Sequence, residues 1–165
     1  MERPQDIHPV FDKICTFLGE KGVEFEYFFH EPVKTSEEAA AIRPDFSLQQ
    51  GAKAMIIKTG SNFIMCILSG NTRLDNKSVR QSLGIKEFRF ATPQELSDIT
   101  GGVQIGGVPP FGNLFNIPIF ADPAIFENET IIFNAGDRRV SVYLKSKEWQ
   151  VAVEPKIAKI AVLPQ

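Results

Sequence analysis

The sequence predicts one α+β domain over residues 1–165, built on a mixed, strongly curved, barrel-like sheet flanked by short helices. Three observations predict it. A length of 165 residues with a 43 % hydrophobic share is enough for one sizeable core. Helical and alternating apolar patterns are intermixed without the regular βαβ rhythm of a doubly wound fold. No internal repeat, low-complexity tract or linker offers a place to divide the chain.

The elements follow in order. Val10, Ile14, Phe17 and Leu18 fall on one helical face, predicting a helix from about Pro9 to Lys21 that Gly22 terminates. Val23, Phe25 and Tyr27 alternate with Glu24 and Glu26 as a half-buried strand does, and the segment runs into a His30-Glu31-Pro32 turn. Thr35 and Glu38 have capping-box spacing, so a short Ala-rich helix starts there and fails near Pro44. Ala54 to Lys58 and Phe63 to Leu68 are apolar runs separated by Thr59-Gly60-Ser61-Asn62, predicting an antiparallel hairpin with Lys53 just before it.

Asp75 or Asn76 caps a helix that ends at Leu83-Gly84, and Phe88 with Phe90 marks a short strand. Thr92-Pro93-Gln94-Glu95 combines a cap, a proline at the first helical position and a capping-box glutamate. Ile117 to Ala121, Thr130 to Phe133 and Val140 to Leu144 are strand candidates, the last two separated by Asn134-Ala135-Gly136-Asp137. Val151 to Val153 and Ile157 to Val162, split by Pro155, close the chain.

Composition removes several classes of function. With 18 basic and 20 acidic residues the net charge is −2, so wrapping duplex DNA is excluded and any RNA contact is local and short. Cys15 and Cys66 lie in apolar periodic segments and read as small buried hydrophobes, which fits a reducing compartment. No apolar run reaches membrane-spanning length, and Met-Glu-Arg-Pro-Gln-Asp lacks signal-peptide order, so a cytoplasmic protein without a membrane partner is expected. Two histidines and two cysteines without ligand spacing predict no metal, and no P-loop or dinucleotide fingerprint predicts a nucleotide cofactor.

The most informative stretch is Gly101 to Gly112, Gly-Gly-Val-Gln-Ile-Gly-Gly-Val-Pro-Pro-Phe-Gly. Its five glycines leave backbone N–H groups open to close approach, while Pro109 and Pro110 keep the loop from collapsing into a helix. A rigid loop of bare amides suits a carbonyl, carboxylate or phosphate oxygen. The competing reading is a connector, but about a dozen residues without secondary structure in a compact domain favour a site. Lys53 reads either as a cation held by the sheet over a cleft or as a solvated strand-end lysine. His30 is either a ligand-facing group or a turn histidine, and Asp137 is either functional or an exposed turn residue beside Arg138 and Arg139.

Taken together, five motifs in register resemble the YbaK/prolyl-tRNA synthetase editing-domain family: His30-Glu-Pro-Val-Lys-Thr-Ser-Glu-Glu-Ala-Ala, Gly51-Ala-Lys53-Ala-Met-Ile-Ile-Lys, Asn71-Thr-Arg-Leu-Asp75, Thr100 through Gly112, and Phe133-Asn-Ala-Gly-Asp137. The similarity covers about residues 9 to 153. It implies a YbaK-like fold and a free-standing aminoacyl-tRNA deacylase, whose partners are the acceptor end of a charged tRNA and a tRNA synthetase. The chain is too short for a synthetase catalytic domain, so such editing acts in trans.

By this resemblance Lys53 takes the place of the family's functional lysine and Gly106 to Pro110 its G-x-x-x-P loop. Lys53, Gly106 and Gly107 are then the catalytic candidates. His30, Val108, Pro109, Pro110, Gly112, Asn134, Gly136 and Asp137 are the substrate-binding candidates. An aminoacyl ester is already activated, so positioned water and fixed oxyanion donors suffice, without a protein nucleophile or cofactor. Two departures stand out: Ala54 follows the lysine where the family often has a hydroxyl, and no histidine lies beyond His30. Alanine on a proline tRNA is the expected substrate, in a pocket sized for small side chains. The rival expectations are a non-catalytic acceptor-end or synthetase-binding module and a small-molecule esterase.

Overall fold

A computed structural model describes residues 1–165. Its centre is the hairpin of β2 (Ala52–Thr59) and β3 (Asn62–Ser69), paired antiparallel from Ala52↔Ser69 to Thr59↔Asn62 across a Gly60-Ser61 turn. Lys53 lies inside β2, opposite Leu68, rather than before the strand. The hairpin has apolar side chains on both faces. Ile56, Met65 and Ile67 join the main core, while Ile57, Ile64, Cys66 and Leu68 join a second, smaller one. Period-two alternation in a sheet covered on both sides explains why β3 reads as an unbroken apolar run.

Three other strands complete a five-stranded mixed sheet. They are β5 (Arg89–Phe90), β6 (Ile119–Ala121) and β9 (Lys156–Ile157), with β6 parallel to both β3 and β9. A three-stranded antiparallel sheet is made by β1 (Glu26–Phe29), β8 (Val140–Lys145) and β7 (Thr130–Asn134) in that order. A two-stranded ladder of β4 (Arg73–Leu74) and β10 (Ala161–Val162) covers the smaller core. The expected mixed α+β domain is present, but its ladders form three separate sheets rather than a closed barrel. The link between the two larger sheets is one bridge, Gly51↔Ile132.

The helices pack around this frame. In α1 (Val10–Glu20) Val10, Phe11, Ile14 and Leu18 are buried, and Gly22 stands just beyond its end at φ +68°. Thr35 caps α2 (Ser36–Ala41) by accepting from the Glu38 amide, and Asp75 caps α3 (Asn76–Leu83) through the Ser78 amide. Thr92 and Glu95 form the full capping box of α4 (Pro93–Thr100). A side-chain cap of this kind is typically worth about 1 kcal/mol.

Several boundaries differ from the sequence pattern, among them the closing Ile157 to Val162 run, which divides between β9 and β10 in different sheets. The first strand runs over Glu26–Phe29, because its ladder exists only where β8 lies alongside, from Glu26↔Tyr143 to Phe29↔Val140. Val23 and Phe25 pack on the core outside that ladder. The strand expected from Ile117 begins at Ile119, where pairing with Met65 starts. Val151–Val153 is the last turn of a helix, α5 (Ser146–Val153), whose buried Ser146, Trp149, Ala152 and Val153 recur at helical spacing. The Trp149 indole N–H donates to the Pro110 carbonyl at 3.0 Å, tying α5 to the glycine loop. No helix is long and apolar enough to cross a membrane.

Candidate functional site

A cavity of about 470 Å³ lies where the two larger sheets meet. The bridge from Gly51 to Ile132 brings the start of β2 beside the end of β7, so Lys53 and Asn134 share this cavity. The remaining wall comes from α2, from Phe90, Ala91 and Leu96, and from the loop residues Ile105, Gly106 and Val108. Phe90 and Ile105 are exposed apolar side chains at this site.

Lys53 is half-buried, and its ammonium makes no ion pair or hydrogen bond within the protein. Burial pushes its pKa below that of an ordinary lysine, and the charge of Glu37 opposes that shift. Ala54, which follows it, also lines the cavity and supplies no polar atom.

The glycine loop is held peptide by peptide. Gly106 adopts φ +89°, and a β-carbon there would sit 2.8 Å from the Lys34 carbonyl oxygen. Its own carbonyl accepts from Asn134 Nδ2 at 2.7 Å. The Gly107 N–H donates to the Gln104 carbonyl at 2.9 Å, so it is not a free oxyanion donor. The Gly107 carbonyl accepts from the Gly136 N–H at 2.9 Å. In a trans peptide N–H and C=O point in opposite directions, so the Val108 N–H is aimed away from Gly136. Neither Gly106 nor Val108 spends its N–H on a protein acceptor, and both residues line the cavity. Ile105 likewise spends no N–H on the protein, so the loop's free amide donors at the cavity are those of Ile105, Gly106 and Val108.

A buried polar chain runs inward from the cavity wall. Asn134 and Ser141 are cross-strand partners in the β7–β8 ladder. Arg43, just past α2, donates from Nε and Nη2 to Ser141 Oγ at 3.1 and 2.8 Å, and from Nη2 to Asn134 Oδ1 at 3.1 Å. With its oxygen accepting from Arg43, the Ser141 hydroxyl donates to His30 Nε2 at 2.7 Å. His30 Nδ1–H then donates to the Glu31 carbonyl at 2.8 Å. Burial lowers the pKa of His30 against the opposing bond to the Glu31 carbonyl, and the charge of Arg43 acts the same way as burial, so the neutral ring is favoured.

The predicted residues thus separate by position. Lys53, Gly106, Val108 and Asn134 line the cavity, whereas His30 stands behind it in the polar chain. Gly107 shapes the loop from within, and the Pro109 carbonyl accepts from the Phe111 N–H. Pro110 anchors the loop to Trp149. Gly112 packs where a β-carbon would meet Ile119 Cγ1 at 2.6 Å, and Gly136, at φ +87°, packs against Val10. Asp137 is a clamp: it accepts from the His8 N–H and from the Arg139 side chain, which also reaches Asp6. Although burial works to raise its pKa, these contacts with Arg139 and His8 hold the Asp137 carboxyl below the usual carboxylate range.

Arg43 is a polar residue of this site that sequence reasoning did not find, as is its partner Ser141. It sits in Ile42-Arg43-Pro44, where nothing in composition or spacing distinguishes it from a surface arginine at a helix end. Its partners lie 91 and 98 residues away in the chain.

Comparison with known proteins adds independent findings. Residues 30–151 match the model of the aminoacyl-tRNA editing domain. Over 150 residues the chain is 31 % identical to the multifunctional Ser/Thr-tRNA deacylase ProXp-y of Escherichia coli (strain K12), covering 88 % of this chain and 89 % of that protein. Over 97 residues it is 34 % identical to the proline–tRNA ligase of Bacillus licheniformis, covering 58 % of this chain and 17 % of the ligase. A solved structure described as a candidate trans-editing enzyme for prolyl tRNA synthetase superposes with a TM-score of 0.82 at 23 % identity, covering 95 % of this chain and 99 % of that one.

Proposed function

The chain belongs to the aminoacyl-tRNA editing domain family, and we propose that it acts in trans as a deacylase that removes a small amino acid wrongly esterified to tRNA, foremost proline tRNA. The observation that carries this reading is one cavity that combines an unpaired cation, Lys53, with the unspent amides of Gly106 and Val108. No histidine or cysteine lines it. Ester hydrolysis in such a site proceeds by water attack, with the amides meeting the oxyanion as it forms.

Lys53 holds the negatively charged acceptor end, and the terminal ribose hydroxyl of the tRNA orients the water. Phe90, exposed at the site, offers an aromatic face to an unstacked base, as single-stranded RNA recognition commonly uses. Recognition confined to this single-stranded end reconciles RNA binding with a net charge of −2. Gly107, His30, Pro109, Pro110, Gly112, Gly136 and Asp137 act by positioning the loop and its supports. A charged tRNA as substrate supports a cytoplasmic site of action.

The deciding experiment is hydrolysis of alanyl-, cysteinyl-, seryl-, threonyl- and prolyl-esters on the same proline tRNA. Seryl and threonyl esters are included because the Escherichia coli relative is named for them. Rapid loss of small esters with prolyl-tRNA spared is the expected result. Binding without turnover would make the protein a capture module, activity on free esters alone would make it an esterase, and equal loss of prolyl-tRNA would end the editing interpretation.

A further inference from the structure

Arg43 is only 5 % exposed and belongs to no ion pair. Its Nε and Nη2 are held by Ser141 and Asn134, both neutral side chains. Nη1 has no protein acceptor, yet it is not sealed from solvent, since the one sealed and unpartnered side-chain polar atom in the chain is Ser69 Oγ. The residue lines the cavity. A buried guanidinium without a carboxylate leaves its desolvation cost uncompensated by the protein. Burial brings its pKa down to about 10, so the group still carries its charge at neutral pH. Three fixed hydrogen bonds aim the fork, and the remaining edge is left for an acceptor that enters from the cavity.

We propose that Arg43 is the acyl-oxygen receptor of this site, binding through its free Nη1 the oxygen that becomes the carboxylate of the released amino acid. The inference rests on the hydrolase reading above and adds to it a carboxylate subsite for the product. In the reaction the water oxygen bonds to the acyl carbon, the ester C–O bond breaks, and the ribose oxygen leaves with a proton. The acid formed then loses its own proton, so negative charge on the acyl oxygens is absent in the ester and complete in the product. A cation whose edge is free meets that charge as it grows, while the uncharged ester gains less.

The subsite is tested without measuring turnover, by NMR titration of the protein with L-alanine and L-serine against L-alaninamide and L-serinamide, which lack the carboxylate. The wild-type protein is expected to bind the acids at least tenfold more tightly than the amides, and Arg43→Gln to lose that preference while Arg43→Lys keeps part of it. Lys53→Met removes another unpaired cation that lines the cavity and is expected to keep the preference. Absence of an acid-over-amide preference in the wild type, or its survival in folded Arg43→Gln, overturns the proposal. So does its loss in Lys53→Met. Should Arg43→Gln not fold, the wild-type comparison and Arg43→Lys decide. Acid preference together with inert mischarged tRNA would sink the hydrolase reading and leave the carboxylate subsite standing; the reverse pattern would do the opposite.

Discussion

Asn134 Nδ2 donates to the Gly106 carbonyl at 2.7 Å, joining the end of β7 to the glycine loop across 28 residues of sequence. The same carboxamide accepts from Arg43, so loop, strand and buried guanidinium form one hydrogen-bonded unit. The loop is therefore a clamped structure that holds its unspent amides in place, and several outcomes depend on that.

Replacing Lys53 with alanine removes a cation that has no protein partner. Folding stability should change by no more than about 0.5 kcal/mol, since no hydrogen bond or ion pair is lost. A charge-assisted contact to the tRNA end is worth about 1.5–3 kcal/mol, so kcat/KM for a mischarged tRNA should fall roughly ten- to hundredfold. Thermal denaturation alongside single-turnover deacylation checks both halves, and near-wild-type turnover in a folded variant would remove Lys53 from the mechanism.

Gly106 and Gly107 should respond differently to alanine. At Gly106 the new β-carbon meets a backbone carbonyl at 2.8 Å in a positive-φ conformation, while at Gly107 the nearest atom is 3.2 Å away. Strain of this kind costs about 1–3 kcal/mol. Gly106→Ala is expected to be the less stable and less active of the two in urea denaturation and deacylation assays. Equal behaviour would mean that the loop adapts freely.

The Val108 amide can be deleted without breaking any intramolecular hydrogen bond, because it makes none. Val108→Pro should lower kcat by about 10²–10³, the usual loss for one oxyanion donor, in a protein whose circular dichroism is unchanged. Full activity in that variant would assign oxyanion stabilisation elsewhere.

His30 makes stability depend on pH. An unfolded histidine takes up a proton near pH 6.5, whereas burial and the charge of Arg43 lower the pKa of folded His30. As pH falls below about 6.5 the unfolded state thus binds more protons than the folded one, and stability declines until the folded His30 itself titrates. Urea midpoints at pH 8, 6.5 and 5.5 should show a plateau and then a fall. In His30→Gln that fall should flatten, and an unchanged slope would show that His30 is not its source.

Local chemistry made much of this fold readable in advance. Thr35, Asp75 and Thr92 cap the helices their spacing announced, and the Gly60-Ser61 turn closes the hairpin predicted around it. These features depend on neighbours a few residues apart, where side-chain type decides backbone geometry directly. The last helix was less legible, because the apolar run Val151 to Val153 is too short to separate helix from strand. The buried Trp149 three residues upstream of Ala152 is the signal that resolves it.

The glycine loop shows where local reading stops. Residue types alone marked Gly101 to Gly112 as an amide-rich loop held open by Pro109 and Pro110, and put Lys53 just before an apolar strand that the ladder with β3 extends back to include it. Which amides remain free was decided by tertiary hydrogen bonds: Gly107 spends its N–H within the loop, while Gly136 takes the Gly107 carbonyl and thereby orients Val108. Arg43 belongs wholly to this second class. A guanidinium after a short helix is ordinary until β7 and β8 present Asn134 and Ser141 to it and bury it in the wall of the cavity that Lys53 also lines, because burial and long-range pairing are properties of the packed chain and not of any short segment.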